Sequence, residues 1–366
     1  MKNYKTYTDK FNDFARDLLL AVMEIEGKNN VVVSPLSVIA ALCMTARATS
    51  GNTREEILSC ISDGRSLDET ISVLKEIISK AEKNGSLKNA NAVGVAQQIR
   101  DSINMEFIRS LKEDFNGELF ASADLAEDVN SWVKKNTNGM IDKLIDGLVE
   151  DMIACILNAV AFEAEWEKQY SEDDIFEDDF TNADGSVTEV EMLESKEKRF
   201  IESDSYTGFL KPYKGCEYSF MALLPKHKTN RFMAHDLKSV NFTKLFNDSV
   251  KVPVNVVMPE FKYTCGGDIS GVCRSMGMKL AFTPDADFSP MTTEWAKVDS
   301  IIHKAHIELD RKGTKAAAVT ASMITCGCAI VFEDETKNVT LDRPFVYAIM
   351  HNETGLPVFT GVVNKL

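Results

Sequence analysis

The chain has 366 residues, of which 44% are hydrophobic and 27% charged, and its formal net charge is −15 at pH 7. This composition is typical of a folded soluble protein and excludes disordered and fibrous chains. The acidic balance and the absence of a Lys/Arg-rich run exclude a nucleic-acid partner, because phosphate binding needs a clustered basic surface.

Nothing in the sequence predicts a membrane partner. No segment reaches the roughly 18 consecutive apolar residues of a membrane helix, and the segment from Met1 to Phe11 lacks the apolar core of a signal peptide. We therefore expect a mature extracellular form without its signal peptide, with a cytoplasmic protein as the alternative. The eight cysteines form no CxxC pair, so we expect most of them to be buried thiols.

The elements predicted in the first half of the chain are mainly helices. Apolar residues recur at helical spacing from Phe11 to Val22, and a second apolar run covers Ser37 to Ala48 after a turn at Ser34-Pro35. The same spacing predicts helices over Leu67 to Lys83, Asn104 to Phe115 and Asp128 to Leu148.

The predicted strands are most frequent in the second half. Asn89 to Gln97 and Ile153 to Phe162 predict two buried strands among the helices. Further apolar or alternating segments lie between Gly, Pro and Asn turns: Ser219 to Leu224, Val252 to Met258, Ile301 to Leu309, Val339 to Leu341, Phe345 to His351 and Pro357 to Val363. Without a linker or an internal repeat, this order predicts one α+β domain over residues 1–366.

Several segments, in an order that spans nearly the whole chain, resemble the serpin family of protease inhibitors. The longest are NVVVSPLSVIAAL (Asn30 to Leu42), VNSWVKKNTNGMI (Val129 to Ile141), ILNAVAFEAEWE (Ile156 to Glu167), HKAHIELDRKGTKAAAVTAS (His303 to Ser322) and DRPFVYAIMHNETGLPVFTGVV (Asp342 to Val363). The resemblance implies three β-sheets, eight or nine helices and an exposed reactive-centre loop over about residues 313–338. It also implies a monomeric protein that is not an enzyme, needs no cofactor, and traps its target protease in a covalent 1:1 complex.

The resemblance assigns the start of this loop as a hinge that inserts into the main sheet after the loop is cut. The segment GTKAAAVTAS from Gly313 is small and carries no charge after Lys315. Because side chains alternate faces along a strand, insertion with Thr314 inward gives one buried and one outward set of hinge residues. The buried set is Thr314, Ala316, Ala318, Thr320, Ser322 and Ile324, and the outward set is Lys315, Ala317, Val319, Ala321 and Met323. Before insertion we expect the hinge at the exposed root of the loop; without the resemblance, the Ala-rich run would also suit a helix.

The scissile bond implied by family spacing is Gly327-Cys328, and any bond from Thr325 to Ile330 remains open. Small residues in this window suit elastase-like or subtilisin-like serine proteases, which have shallow primary pockets. Cys326 and Cys328 are interpreted as exposed free thiols, with a redox pair or half of a metal site as alternatives. The functional alternatives are a non-inhibitory serpin that acts as a carrier or structural partner, and an inhibitor of papain-like cysteine proteases.

Four residues match the shutter of the family, a polar cluster beneath the strands that must part. They are Ser34, Ser37, Asn158 and His303. A connected polar network can hold one arrangement and allow another, although His303 would also suit the role of an ordinary buried strand histidine. No metal site is predicted with His306, because residues three apart on a strand point to opposite faces.

Two further residues match the breach of the family, where the loop enters the main sheet. Trp166 matches the breach tryptophan, although a plain core position is an equal alternative. The family usually has an acidic residue two positions before the hinge glycine, where this chain has Arg311. We therefore expect the breach salt bridge of other members to be absent or reversed.

Overall fold

The computed structural model describes residues 7–27, 29–121, 125–145, 153–227, 234–314 and 336–366. These ranges contain nine α-helices: α1 (Thr8–Glu26), α2 (Pro35–Ala48), α3 (Gly51–Ile61), α4 (Leu67–Ala81), α5 (Met105–Phe115), α6 (Leu125–Asn136), α7 (Ala234–Leu237), α8 (Phe242–Asp248) and α9 (Ser270–Ser275). None of the helices in the described part of the chain is both long and apolar enough to cross a membrane.

The strands of the described ranges outnumber the helices. In chain order they are β1 (Val31–Val33), β2 (Leu87–Val95), β3 (Glu118–Phe120), β4 (Ala154–Phe162), β5 (Ala164–Glu165), β6 (Ile175–Thr181), β7 (Val187–Glu197), β8 (Phe200–Glu202), β9 (Tyr206–Pro212), β10 (Tyr218–Pro225), β11 (Val254–Pro259), β12 (Phe261–Asp268), β13 (Val298–Leu309), β14 (Gly313–Thr314), β15 (Lys337–Thr340), β16 (Phe345–His351) and β17 (Leu356–Val363). They form three sheets, which confirms the predicted α+β class.

The largest sheet, here called the main sheet, contains seven strands. Its order is β3-β2-β4-β13-β14-β5, and β12 pairs with β13. Strands β4 and β13 are parallel neighbours, with His303 paired to Asn158 in the ladder. A six-stranded sheet has the order β1-β17-β16-β10-β9-β8, and a four-stranded sheet has the order β15-β11-β7-β6.

Helix α2 joins the main and six-stranded sheets in the core. It is buried at every position except Arg47, and it contacts both β4 and β17. Ser34 caps its first turn by accepting a hydrogen bond from the backbone N–H of Ser37, which is the preferred role of Ser at such a position. Of the six cysteines in the described ranges, four are buried and none forms a disulfide.

The helix predicted over Asp128 to Leu148 is wrong at its C-terminal end, because α6 stops at Asn136. Asn138 and Gly139 adopt φ values of 52° and 73°. These left-handed conformations cannot continue a right-handed helix, and Asn and Gly accept them most readily.

The four-stranded sheet ends in the edge strand β6, which carries several exposed carboxylates. Glu177 lies opposite Glu191 and Asp179 lies opposite Glu189 in the antiparallel ladder with β7. Like charges directly opposite each other destabilise such a pair.

Candidate functional site: the junction of β4, β13 and the hinge

The four predicted shutter residues form one hydrogen-bonded cluster at the N-terminus of α2. The Ser34 hydroxyl donates to the backbone oxygen of Val358 at 2.7 Å, which ties α2 to β17. The Ser37 hydroxyl contacts Asn158 Oδ1 at 2.8 Å, which ties the helix to β4. The cluster therefore lies where α2, β4 and the six-stranded sheet meet.

His303 connects this cluster to β13. Its Nε2 accepts from the backbone N–H of Ser34 at 3.2 Å, so the proton of the neutral ring lies on Nδ1 and is donated to Asn158 Oδ1 at 2.6 Å. Complete burial lowers the pKa of His303 from 6.5 to about 3. The imidazole is therefore neutral near pH 7. Its hydrogen bond to Asn158 joins β13 to β4.

Two asparagines of β2, which the sequence analysis missed, complete the cluster. The Asn158 side-chain N–H₂ donates to Asn91 Oδ1 at 2.8 Å and to Asn89 Oδ1 at 3.3 Å. Asn91 in turn donates to the backbone oxygen of Phe115 at the end of α5. The signal in the sequence was the alternation Asn89-Ala90-Asn91, which places two amides on one face of a buried strand and leaves them in need of partners.

Trp166 directly follows β5 and holds the turn that follows β13. It is 1% exposed, and its indole N–H donates to the backbone oxygen of Asp310 at 2.9 Å. Its backbone N–H donates to the oxygen of Lys312 at 2.9 Å. The ring stacks on Tyr213 with centroids 4.5 Å apart and planes 12° apart. Trp166 therefore packs in the core and also fixes the chain that enters the hinge.

Gly313 and Thr314 are already part of the main sheet. Gly313 pairs with Glu165 of β5, while Thr314 pairs with Ala164 of β5 and with Leu309 of β13. Thr314 is 0% exposed, and its hydroxyl shares a 2.6 Å hydrogen bond with the Tyr213 hydroxyl. The expectation that Thr314 lies at an exposed root is wrong, because β5 and Tyr213 hold it inside the sheet.

The position of Gly313 leaves no room for a side chain. A Cβ there would lie 2.2 Å from the backbone oxygen of Ala164 and 2.7 Å from the Cα of Glu165. Real Cβ atoms do not approach backbone so closely, and close backbone approach is a position that requires glycine. Gly313 is therefore what allows β14 to lie against β5.

The sequence of the chain matches a known protein family over nearly its whole length. The family model described as Serpin (serine protease inhibitor) matches residues 9–366. The chain belongs to the serpin family.

Related serpins cover nearly the full length of the chain. The leukocyte elastase inhibitor of Homo sapiens is 29% identical, over 95% of this chain and 96% of that protein. The crystal structure of tengpin, a thermophilic serpin, in the native state has 31% identity and a TM-score of 0.87, and covers 100% of this chain and 95% of that one. A complex of thyroxine-binding globulin with thyroxine has 22% identity, a TM-score of 0.83 and 99% coverage of both chains, which supports the fold alone.

Arg311, in the turn between β13 and β14, lies close to three carboxylates. Arg311 Nε lies 3.1 Å from Glu260 Oε1, and Arg311 Nη2 lies 3.0 Å from Glu191 Oε2. Glu172 Oε1 lies 3.5 Å from Arg311 Nη1. Hydrogen bonds to Glu260 and Glu191 raise the pKa of Arg311. Arg311 therefore forms ion pairs in this turn, and the breach role that the resemblance implies for it stays a prediction.

The described residues extend the flanking strands into the predicted loop at both ends. Gly313 and Thr314 form β14, and Lys337 and Asn338 belong to β15, which pairs in parallel with β11. The remaining predicted hinge residues and the predicted bond lie outside the described residues: Lys315, Ala316, Ala317, Ala318, Val319, Thr320, and Gly327-Cys328 with its window from Thr325 to Ile330.

The two histidines of β13 have different partners. His303 contacts Asn158, whereas His306 Nδ1 lies 2.7 Å from the hydroxyl of Thr264 on β12. Among the described residues no group of three or more His, Cys, Asp or Glu side chains is arranged to hold a metal ion.

Proposed function

We propose that this serpin is an irreversible inhibitor of elastase-like or subtilisin-like serine proteases, which it traps by inserting its cut loop between β4 and β13. The observation that carries the proposal is β14. Its residues Gly313 and Thr314 already begin a strand between β5 and β13, immediately beyond the end of the β4–β13 ladder.

The strand directions suit insertion. Because β4 and β13 are parallel, a chain that turns back after β13 runs antiparallel to both of them. It can therefore pair with each by the antiparallel pattern, without any change in the connection. Extending β14 would add to the strand that Thr314 has started.

The buried side of the extended strand is set by Thr314, which faces the core. With a side-chain period of two, Ala316, Ala318 and Thr320 would face the core as well, and Lys315 would face outward. All the inward side chains are small and uncharged, so insertion buries no unpaired charge. A non-inhibitory hinge would be expected to carry bulky or charged inward residues or a proline, and this sequence has none there.

Insertion must break the direct ladder between β4 and β13, and the polar cluster is suited to this change. The hydrogen bond from His303 on β13 to Asn158 on β4 joins the two strands that must separate. When it breaks, His303 can keep the N–H of Ser34, and Asn158 can keep Ser37 and Asn91. Asn158 therefore keeps partners for its buried amide atoms, whereas the Nδ1–H of His303 loses its acceptor and needs a new one from the inserted strand.

The chemistry is supplied by the protease. Its nucleophile attacks a carbonyl carbon of the loop and forms an acyl-enzyme while the new amino terminus leaves. If the hinge inserts before water hydrolyses the ester, the protease stays attached in a covalent 1:1 complex. The serpin therefore acts once as a monomeric inhibitor, not as an enzyme, and its intact form is kinetically trapped.

The target class follows from the small residues between Thr325 and Ile330, and similarity to the human leukocyte elastase inhibitor agrees with it. We propose an extracellular site of action, where such proteases are secreted. Papain-like cysteine proteases form a comparable thioester and are the second class to test.

The test is to incubate the protein with elastase, subtilisin, trypsin and papain and to separate the products by denaturing electrophoresis. We expect a band of the summed mass with elastase or subtilisin that survives SDS. Cleavage of the loop by all four enzymes without any such band would overturn the proposal and favour a non-inhibitory serpin.

A further inference from the structure

Lys211 on β9 is a buried cation at the breach that the proposed mechanism has not used. Its side chain is 3% exposed, and its Nζ lies 2.8 Å from Glu197 Oε1, on a side chain that is 9% exposed. Nζ also lies 5.3 Å from the ring centroid of Trp166 and 4.4 Å from that of Tyr170. A cation over aromatic rings is attracted by their π faces, and the attraction grows when the cation is removed from water.

Two opposing effects act on the pKa of Lys211. Burial lowers its pKa, and the neighbouring carboxylate of Glu197 opposes this change. Glu197 is itself held by the Ser195 hydroxyl at 2.8 Å. Lys211 and Glu197 therefore form a buried ion pair and not a surface ion pair.

Both residues whose rings Lys211 contacts also hold the backbone of the turn before the hinge. Trp166 donates to the oxygens of Asp310 and Lys312, and the backbone N–H of Tyr170 donates to the oxygen of Arg311 at 3.1 Å. All three residues of the turn between β13 and β14 are thus fixed by two residues that share one cation.

We propose that Lys211, paired with Glu197, is a positioning residue for loop insertion: it fixes the two aromatic residues that hold residues 310–312, and so keeps β14 in place as the start of the inserted strand. This inference rests on the proposed inhibitory function, because it concerns the speed of the same insertion step. Lys211 does not contact the protease and does not act on the scissile bond.

The direction of the effect follows from the order of events. Insertion extends β14 between β4 and β13. A fixed turn therefore lets the new strand grow from Gly313 and Thr314, which are already paired. A loose turn would require Gly313 and Thr314 to find their partners first, which adds an entropic cost to the barrier. Loss of the cation should therefore slow insertion and leave the acylation step unchanged.

The test variant is Lys211→Met with Glu197→Gln. Both charges are removed together, because loss of one alone would leave the other buried and unpaired. The matched control is Lys226→Met with Glu202→Gln, which removes an ion pair of 3.1 Å whose side chains are 33% and 59% exposed.

Two readouts isolate insertion. The first is the number of inhibitor molecules consumed per protease trapped, together with the rate of loop cleavage. The second needs no trapped protease: the loop is nicked by an enzyme that is not retained, and the rate at which the nicked protein gains resistance to urea is followed. In the variant we expect this rate to fall about tenfold, which corresponds to about 1.4 kcal/mol in the barrier, with more inhibitor consumed and unchanged cleavage.

A second pair of variants covers the case in which the double variant does not fold. Tyr170→Phe keeps the ring over Lys211 and should insert as the parent does, although it loses the 3.4 Å contact of its hydroxyl with Ser195. Tyr170→Leu removes the ring and should slow insertion, while the backbone bond to Arg311 is available to both. Equal insertion rates in these two variants would refute the role of the cation and its rings.

Other outcomes separate this inference from the proposed function. If the parent traps no protease but nicking still triggers insertion, the inhibitory function fails and the insertion rates alone judge Lys211. If the double variant only melts at a lower temperature, with parental insertion rate and stoichiometry, Lys211 is merely structural and the inference is wrong. If nicking triggers no insertion in the parent, both proposals fail.

Discussion

Replacing Thr314 with Arg should convert the inhibitor into a substrate while the protein stays folded. Thr314 is fully buried between β5 and β13, and its hydroxyl bonds to Tyr213 at 2.6 Å. An Arg cannot remain there without burying a charge, so in the intact protein we expect β14 to leave the sheet. That loss removes a few hydrogen bonds of about 1 kcal/mol each, which the native state should survive.

In the inserted state the Arg side chain cannot reach water in this way, because position 314 must then lie between packed strands. A buried charge without a partner costs about 3 kcal/mol or more, which slows insertion by at least about 100-fold. Acylation takes place far along the loop and should be unaffected. Hydrolysis of the acyl-enzyme would therefore precede insertion in nearly every encounter.

The assay is the yield of SDS-stable complex at increasing ratios of inhibitor to active-site-titrated protease. Thr314→Val is the matched control: it keeps the volume, loses the hydrogen bond to Tyr213 and should still trap protease. Lys315→Arg is a second control, since its side chain should face outward. If Thr314→Arg trapped protease with the parental stoichiometry, insertion of this hinge as a strand would have to be abandoned.

Three further outcomes are expected from the same geometry. Nicking of the loop should raise the melting temperature, because the hinge then completes the main sheet; an unchanged or lower midpoint in differential scanning calorimetry would count against insertion. The cut should lie between Thr325 and Ile330, and mass spectrometry of the released C-terminal peptide would reveal a wrong register if it placed the cut before Ser322. The pKa of His303 is lowered from 6.5 in the unfolded chain to about 3 in the folded protein. Between these pH values the unfolded state binds a proton that the folded state does not bind. The stability present above pH 6.5 is therefore lost as the pH falls towards 3. His303→Gln should therefore reduce the slope of unfolding free energy against pH in this window by up to about 1.4 kcal/mol per pH unit, and an unchanged slope in urea titrations would show that His303 is not neutral in the folded state.

Sequence patterns predicted the elements whose stability is local. The apolar run of β4 and the apolar run of α2 after the turn at Ser34-Pro35 were sufficient to indicate both elements, because a continuous apolar segment next to a turn is typical of a buried element. Family order then placed Ser34, Ser37, Asn158 and His303, and the structure brings all four together.

The features that escaped prediction depend on contacts between distant segments. The pairing of Thr314 is set by Tyr213 and β5, which lie far away in the chain, so no local pattern could predict a two-residue strand there. The same holds for Lys211, which looks like a surface lysine until β7 brings Glu197 to its side. The end of α6 could have been predicted locally, because Asn138-Gly139 is typical of a turn. The prediction instead followed the helical spacing of apolar residues beyond it.

The acidic rows of β6 and β7 have a consequence for how separate copies of this serpin meet. An exposed edge strand offers unpaired backbone groups to any extended chain, and the insertable loop proposed above would supply such a chain on every copy. The exposed carboxylates of β6, set against Glu189 and Glu191 on its neighbour, surround that edge with negative charge on a molecule that is already strongly acidic. Two copies that approach through these edges repel each other, and the repulsion weakens as salt shortens the screening length from about 10 Å at 0.1 M to about 3 Å at 1 M. Negative charge at this edge thus disfavours edge-to-edge pairing of two copies at low ionic strength.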